Sequence, residues 1–282
     1  MRNDSYHAAM DSLPLRSRPA SPANGIGKLL REWRAVRHLS QLDLALEAGV
    51  SARHLSCVET GKAQPSRDMI DKLADALDLP LRERNALLVA AGFAPKYRES
   101  SLASTQLAPI RRAIDFMLEQ QEPYPAFVLN RYWDVLATNR ATTRAFQRLR
   151  GGPPLHANVL RQIFDPADMR PLIVNWDEVA GNVIGHLHAQ VAASPADAKA
   201  QALLEEILTY PDIPASWHAR GPDAAPLPIL TAAFRAGATE LHFFSTFTTF
   251  GTPWDITLDE LRIESMFPAD EATAAWCRSP PE

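Results

Sequence analysis

Arg53 lies among small polar side chains in the segment SARHLSCVETG, residues 51–61. A guanidinium group can donate two parallel hydrogen bonds to O6 and N7 of guanine, so an exposed arginine here suits base reading in a DNA groove. Gln41, Ser51 and Lys62 carry groups that suit phosphate oxygens. The other residues expected on the same exposed side are Ala52, His54, Ser56, Cys57 and Thr60. Together these residues indicate a surface that contacts double-stranded DNA.

Two short helices joined by a glycine turn are expected to position these side chains. Ser40 and Ser51 each stand where a hydroxyl can cap the first turn of a helix. Gly49 can adopt the positive φ that ends the first helix without a Cβ clash. The inward residues, at helical spacing, are Leu44, Ala45, Leu55 and Val58.

A helix, a glycine turn and a second helix also form ordinary hairpins in helical cores, which is the alternative interpretation. The spacing of Gln41, Ala45, Gly49, Ser51, Leu55, Glu59 and Gly61 is more specific. It resembles the lambda repressor and Cro family, also called XRE-type regulators, over residues 26–92, and departs from it at Cys57. The resemblance implies an all-α, five-helix DNA-binding domain in which Arg34 pairs with Glu59; otherwise both charges are solvated.

Helical periodicity and loop-forming residues divide the 282 residues into two domains. Ser66 and Pro80 start a fourth and a fifth helix, and Gly92 ends the fifth. The predicted boundaries are a disordered arm at 1–23, a helix-turn-helix DNA-binding domain at 24–94, a linker at 95–105, a second domain at 106–275 and a tail at 276–282.

Short β-prone runs at 126–129 and 135–138 predict a hairpin in the second domain, followed by a helix through Arg150. Residues 156–210 read as helical pieces, and residues 227–268 return to strands, with Ile256, Leu258, Leu261 and Ile263 as apolar members. This order predicts an α+β domain compatible with a PAS-like sensor. Alternation along the strand would place Phe243 and Phe247 on one sheet face and Phe244 and Phe250 on the other.

The segments PYPAFVLNRYWDVLATN and NVLRQIF, followed by Trp176, resemble the MmyB-like ligand-binding domain found behind lambda-like modules in bacterial regulators. The resemblance spans residues 105–275. It implies a cavity for a small apolar molecule, with fatty acids among the ligands attributed to such domains. No cofactor is implied.

A few isolated polar residues in this apolar region are candidates for orienting a ligand head group: Asn130, Asn139, Asn158 and Arg161. Arg161 could hold a carboxylate through its planar guanidinium, or could form a surface ion pair with Asp165 instead. The apolar candidates for lining the cavity are Trp133, Phe164, Trp176 and Phe247.

Charge differs between the two halves. Residues 24–98 hold 12 Lys and Arg against 9 Asp and Glu, whereas residues 99–282 hold 14 against 22. A basic module on an acidic chain fits DNA binding by one domain only. Two distant cysteines, no apolar run of membrane length and no signal-peptide core favour a cytoplasmic protein without disulfides. One short recognition helix reads few base pairs, so we expect a homodimer.

Two other classes of function remain open. Some lambda-like repressors cleave themselves with a serine nucleophile and a lysine base, but Lys199 is the single lysine after residue 98. The chain also has no P-loop and no G-x-G-x-x-G motif, so no enzyme is expected. His186 and His188 lack a third ligand at a useful spacing, so no metal site is expected. The second alternative is an antitoxin or phage-type repressor whose C-terminal domain only dimerises. An apolar cavity would distinguish a sensor from a dimerisation domain.

Overall fold

The computed structural model of the chain describes residues 25–194, 196–218, 231–251 and 253–279. The arm predicted at 1–23 lies outside these residues. The described residues form two compact units. The first contains residues 25–103 together with 253–259, and the second contains the rest of the described chain.

Five helices make up residues 25–92 of the first unit, as the sequence predicts. They are α1 Ile26–Val36, α2 Gln41–Glu47, α3 Ala52–Glu59, α4 Arg67–Ala76 and α5 Leu81–Ala90. The serine caps are present: Ser40, Ser51 and Ser66 each accept a hydrogen bond from a backbone N–H in the first turn of the following helix. Gly49 has φ +62° and ends the helix that precedes the turn.

Gly27 allows α1 to cross α3 closely. A Cβ at this position would lie 2.5 Å from the carbonyl oxygen of Glu59 and 2.7 Å from that of Val58. Any larger side chain would therefore push α1 away from the end of α3. The crossing brings the charged side chains of α1 beside Glu59.

The remaining helices are α6 Ala108–Gln120, α7 Arg140–Arg150, α8 Val159–Phe164, α9 Trp176–Ala193, α10 Ala198–Ile207, α11 Ile256–Asp259 and α12 Glu271–Arg278. The strands are β1 Ala126–Leu129, β2 Val135–Thr138, β3 Thr231–Ala236, β4 Thr239–Thr248 and β5 Arg262–Pro268. Apart from α11, all of these belong to the second unit. None of the described helices is long and apolar enough to cross a membrane.

The described strands of the second unit form one antiparallel sheet in the order β2-β1-β5-β4-β3. Thr138 pairs with Phe127, Phe127 with Glu264, and Glu264 with Phe247, so these four residues form one row across the sheet. Residues that pair directly across strands point to the same face. The second unit is therefore α+β, as predicted, and these four side chains lie on the same face of the sheet.

Two sequence predictions need correction. The run from Ile256 was predicted to be strand, but Ile256–Asp259 is helical and the strand begins at Arg262. The Asp255 carboxylate accepts a hydrogen bond from the backbone N–H of Thr257 at 3.0 Å, and this local bond favours a turn over extended chain. The tail was predicted to start at residue 276, but residues 276–278 belong to α12, which runs to Arg278.

A helical core supports the second unit beside the sheet. Buried residues of α8, α9 and α10 pack together there, including Leu160, Phe164, Ile184, Leu187, Leu203 and Ile207. The sequence predicted helical pieces over this stretch, and the three helices confirm it.

Candidate functional sites

The exposed side of α3 carries the residues proposed to read DNA. Arg53, His54 and Thr60 are exposed, and Ser51 and Lys62 are exposed at the two ends of the helix. Ala52, Ser56 and Cys57 are partly buried between them, while Leu55 and Val58 are buried on the opposite side. The surface is helical and carries positive charge at Arg53 and Lys62, which suits the major groove.

A charged network fixes the end of α3. The Glu59 carboxylate accepts hydrogen bonds from Arg34 Nε at 3.0 Å, Arg34 Nη2 at 3.2 Å and Gln41 Nε2 at 2.9 Å. Arg31 donates to the Glu59 carbonyl oxygen. Glu59 is 4% exposed, so the pair expected between Arg34 and Glu59 is present and buried.

The side chain of Gln41 also has a partner inside the first unit. Its amide nitrogen donates one hydrogen bond to Glu59 at 2.9 Å, and the second N–H of the amide leaves the phosphate contact as a prediction. Its backbone N–H at the start of α2 is in the usual position for an anion contact. The sequence did not reveal the side-chain bond, because Gln41 and Glu59 lie on different helices.

A cavity of about 340 Å³ lies in the second unit. One wall is the sheet face that carries Thr138, Phe127, Glu264 and Phe247. Phe243, Ser245 and Met266 extend this wall along β4 and β5. The face predicted for Phe243 and Phe247 is confirmed, while Phe244 stacks on Phe267, with ring centroids 5.4 Å apart.

Three helices form the opposite wall through regularly spaced side chains. The residues are Thr142, Ala145, Phe146 and Leu149 on α7, Val159, Gln162 and Ile163 on α8, and Val179, Asn182, Val183 and His186 on α9. Each set follows the spacing i, i+3, i+4, and two sets continue to i+7, so each helix presents one stripe to the cavity. A cavity of this size with mostly apolar walls and a few polar groups is typical of a small-molecule site.

Glu264 is the one carboxylate among the described residues that line the cavity. Burial raises the pKa of Glu264 to about 7, against the opposing effects of a hydrogen bond with Ser245 and of the Arg262 charge. Arg262 lies two residues away on β5, and burial lowers the pKa of its guanidinium, because burial disfavours the charged form of both groups. The sheet wall therefore holds one carboxyl group that titrates near neutral pH.

Trp133 contributes an indole to the same cavity from an unusual backbone conformation. Its φ is +66°, which is rare for a bulky residue and indicates a constrained turn. The ring lies edge-on to Phe247, with centroids 6.4 Å apart, and the guanidinium of Arg262 lies 5.0 Å from its centroid. The buried indole N–H has no hydrogen-bond partner among the described residues.

The three predicted asparagines hold the backbone and do not line the cavity. Asn130 accepts hydrogen bonds from the N–H groups of Tyr132 and Asp134 and so stabilises the hairpin turn. Asn139 and Asn158 cap α7 and α8, and both side chains are buried. Asparagine directly before a helix is a known cap signal, so the sequence did contain a reason to expect this role.

Arg161 requires the clearest correction. Its Nε and Nη2 donate to the two carboxylate oxygens of Glu206 at 2.6 and 2.7 Å, and it does not line the cavity. These hydrogen bonds lower the pKa of Glu206. Arg161 therefore meets neither a ligand carboxylate in this cavity nor Asp165, which instead contacts His156 at 2.7 Å.

Trp133 and Phe247 line the cavity, whereas Phe164 and Trp176 lie behind its wall. The Trp176 indole donates to the carbonyl oxygen of Ile163 at 2.8 Å and lies edge-on to Phe164. Ile163 is itself a cavity residue, so the two aromatic rings support the wall without reaching the space inside.

His186 and His188 lie in different surroundings in the structure. His186 lines the cavity, whereas His188 Nε2 lies 2.7 Å from the carbonyl oxygen of Trp217. The described residues contain no group of three side chains that could hold a metal ion.

Comparison with known proteins identifies both parts of the chain. Residues 110–279 match the family described as MmyB-like transcription regulator ligand binding domain, and residues 30–84 match the family described as Helix-turn-helix. The chain is also similar to a solved structure, the restriction-modification controller protein C.AhdI from Aeromonas hydrophila. The identity is 41% over 21% of this chain and 89% of that chain, with a TM-score of 0.20. No curated protein matches the sequence.

Proposed function

Because this chain belongs to the MmyB-like transcription regulators, we propose that it binds a specific DNA site and that a small apolar effector in the second unit changes this binding. The observation that carries the proposal is the cavity of about 340 Å³, walled mostly by apolar side chains, in the second unit of a chain whose first unit carries the helix-turn-helix. A PAS-like sensory role agrees with this arrangement. A domain that only dimerises needs no such cavity.

Base reading is assigned to Arg53, which is exposed on α3. Lys62 and the N-terminal turns of α2 and α3 would hold phosphates, which position the protein without selecting sequence. Binding as a homodimer follows from the small footprint of one helix, since two half-sites would lie about 34–36 Å apart on one face of the duplex. Footprinting that finds a single half-site would contradict the dimer.

The effector class proposed here is a molecule with an aliphatic body, such as an acyl compound. The aromatic and aliphatic side chains of the sheet wall and of the three helices match such a body. The volume lies at the lower end of the range for ligand sites, which favours a short chain over a large ring system. Mass spectrometry of small molecules extracted from the purified protein tests this class. Recovery of none, together with no binding of aliphatic probes, would favour the dimerisation alternative.

A covalent route for coupling runs through residues 253–259. In sequence this segment joins β4 to β5, whose side chains line the cavity, and it packs within the first unit. Asp259 Oδ2 accepts a hydrogen bond from the Leu81 N–H, the first donor of α5, at 2.9 Å. Pro80 at the N-cap has no side-chain oxygen, so Asp259 supplies the missing cap.

A second attachment of the segment lies at residues 98–100. The Ile256 N–H donates to the Arg98 carbonyl oxygen at 2.8 Å, and Thr257 Oγ1 donates to the Ser100 carbonyl oxygen at 2.7 Å. A ligand that shifts the ends of β4 and β5 would therefore pull on the start of α5. We propose this segment as the element through which effector binding reaches the DNA-binding helices.

A further inference from the structure

Glu264 and Ser245 lie on the sheet wall of the cavity, and Trp133 borders the same cavity from the turn between β1 and β2. Glu264 and Phe247 are paired across β5 and β4, and the Phe247 ring contacts the ring of Trp133.

Glu264 sets the hydrogen-bonding requirement of this wall. An ionised Glu264 only accepts hydrogen bonds, and Ser245 supplies one donor to it. A ligand that brings a further donor therefore gains from this site.

We infer that the cavity selects an aliphatic ligand with a hydroxyl head, which donates to Glu264, over the matching ionised carboxylate. The inference rests on the proposed function and names the head group that this function leaves open. A hydroxyl can donate a hydrogen bond to the Glu264 carboxylate, whereas a ligand carboxylate would place a second negative charge against it. Glu264 thus becomes the residue that determines specificity.

The charged groups around Glu264 do not remove this preference. Arg262 precedes it by two residues on β5, and its guanidinium is stacked over Trp133. Arg131 adds a second positive charge near Arg262 but is bound to Asp197 and Glu260, each at 2.7 Å. His186 on α9 is the other titratable group on the cavity wall.

Calorimetric titration of the full-length protein with three matched probes tests the inference. The probes are octan-1-ol, its isomer 1-methoxyheptane, which accepts but cannot donate, and octanoate. At pH 8 we expect octan-1-ol to bind roughly ten- to hundredfold more tightly than either of the others, the ratio that a hydrogen bond to a charged acceptor provides. Octanoate affinity should rise as the pH falls from 8 to 6, because Glu264 gains a proton in this interval while octanoate keeps its charge.

The variant Glu264→Gln separates charge from shape. It should raise octanoate affinity at pH 8 by about tenfold and remove its pH dependence, since the amide can donate to a carboxylate. Octan-1-ol should still bind, because the amide oxygen still accepts. Glu240→Gln, at an exposed position of β4, is the matched control and should leave all three affinities unchanged.

Several outcomes would overturn the inference. If octanoate or the ether binds the wild-type protein at pH 8 as tightly as octan-1-ol, the head-group selection is wrong, while the apolar effector site stands. A pH dependence that survives in Glu264→Gln would show that another group causes it and would remove Glu264 as its cause. If none of the three probes binds, the proposed apolar effector fails together with the inference.

Discussion

Glu59→Ala should destabilise the DNA-binding helices, although Glu59 is buried and does not lie on the surface proposed to contact DNA. The carboxylate accepts three hydrogen bonds from Arg34 and Gln41, and the side chain is 3% exposed. Removing one member of a buried ion pair costs about 3–5 kcal/mol. The Arg34 side chain is 21% exposed and keeps a hydrogen bond to the Leu39 carbonyl oxygen, so water relieves part of this loss. We therefore expect a loss of about 3 kcal/mol, which corresponds to roughly 12–24 °C in Tm for a domain of this size.

Urea unfolding followed by far-ultraviolet circular dichroism measures this change in the full-length protein. Glu59→Gln should cost less, because its amide can still bond to one partner. Arg34→Ala combined with Glu59→Ala should cost clearly less than the sum of the single changes, since the second change removes a charge that has already lost its partner. Additive losses, within about 0.5 kcal/mol, would refute the claim that the two side chains act as one unit.

Three further predictions concern the two sites and the segment between β4 and β5. Arg53→Ala should cost about 1–3 kcal/mol on the operator and relax preference at one base pair, whereas Lys62→Ala should weaken operator and random DNA alike; equal losses for both DNAs with Arg53→Ala would contradict base reading. Asp259→Ala should remove the cap of α5 and cost about 0.5–2 kcal/mol of stability. It should also reduce the effect of effector on DNA affinity, while effector affinity in the absence of DNA is retained. If effector changes DNA affinity in the variant as much as in the wild type, this route is excluded. The folded-state pKa of Glu264, about 7, exceeds the ordinary value of 4.5, so the Glu264 contribution to stability is present below pH 4.5 and is lost as the pH rises through 7, by up to about 3 kcal/mol. Glu264→Gln should flatten this pH dependence of the free energy of unfolding. An identical slope in the variant would show that another group causes it.

Local signals explain why the first unit could be predicted closely. Ser40, Ser51 and Gly49 act on neighbouring backbone groups, so their roles follow from a few adjacent residues. The pair between Arg34 and Glu59 came from the family resemblance, and the structure contains it. Gly27 shows the limit of this approach, because its importance depends on a helix that follows 25 residues later.

The ligand residues were harder to predict because their partners are distant in sequence. The sequence suggests Asp165, four residues on, as an ion-pair partner for Arg161. The actual partner, Glu206, lies 45 residues away in the sequence. Alternation along β4 correctly grouped Phe243 and Phe247, yet it could not show which sheet face borders a cavity. Glu264 was missed for the same reason, since only the register between β1, β5 and β4 brings it into the row with Phe127 and Phe247.

Linked binding of effector and DNA is the measurement that tests the central claim most directly. An operator is first selected from random duplexes. Its affinity for the full-length protein is then measured by fluorescence anisotropy with and without a saturating eight-carbon ligand. The ligand is octan-1-ol or octanoate, whichever binds more tightly. The account predicts a change of about 5- to 150-fold in operator affinity, and calorimetry must then show the same factor in ligand affinity when operator is present. Equal operator affinity with and without bound ligand would contradict it, leaving a cavity that does not control the DNA-binding helices.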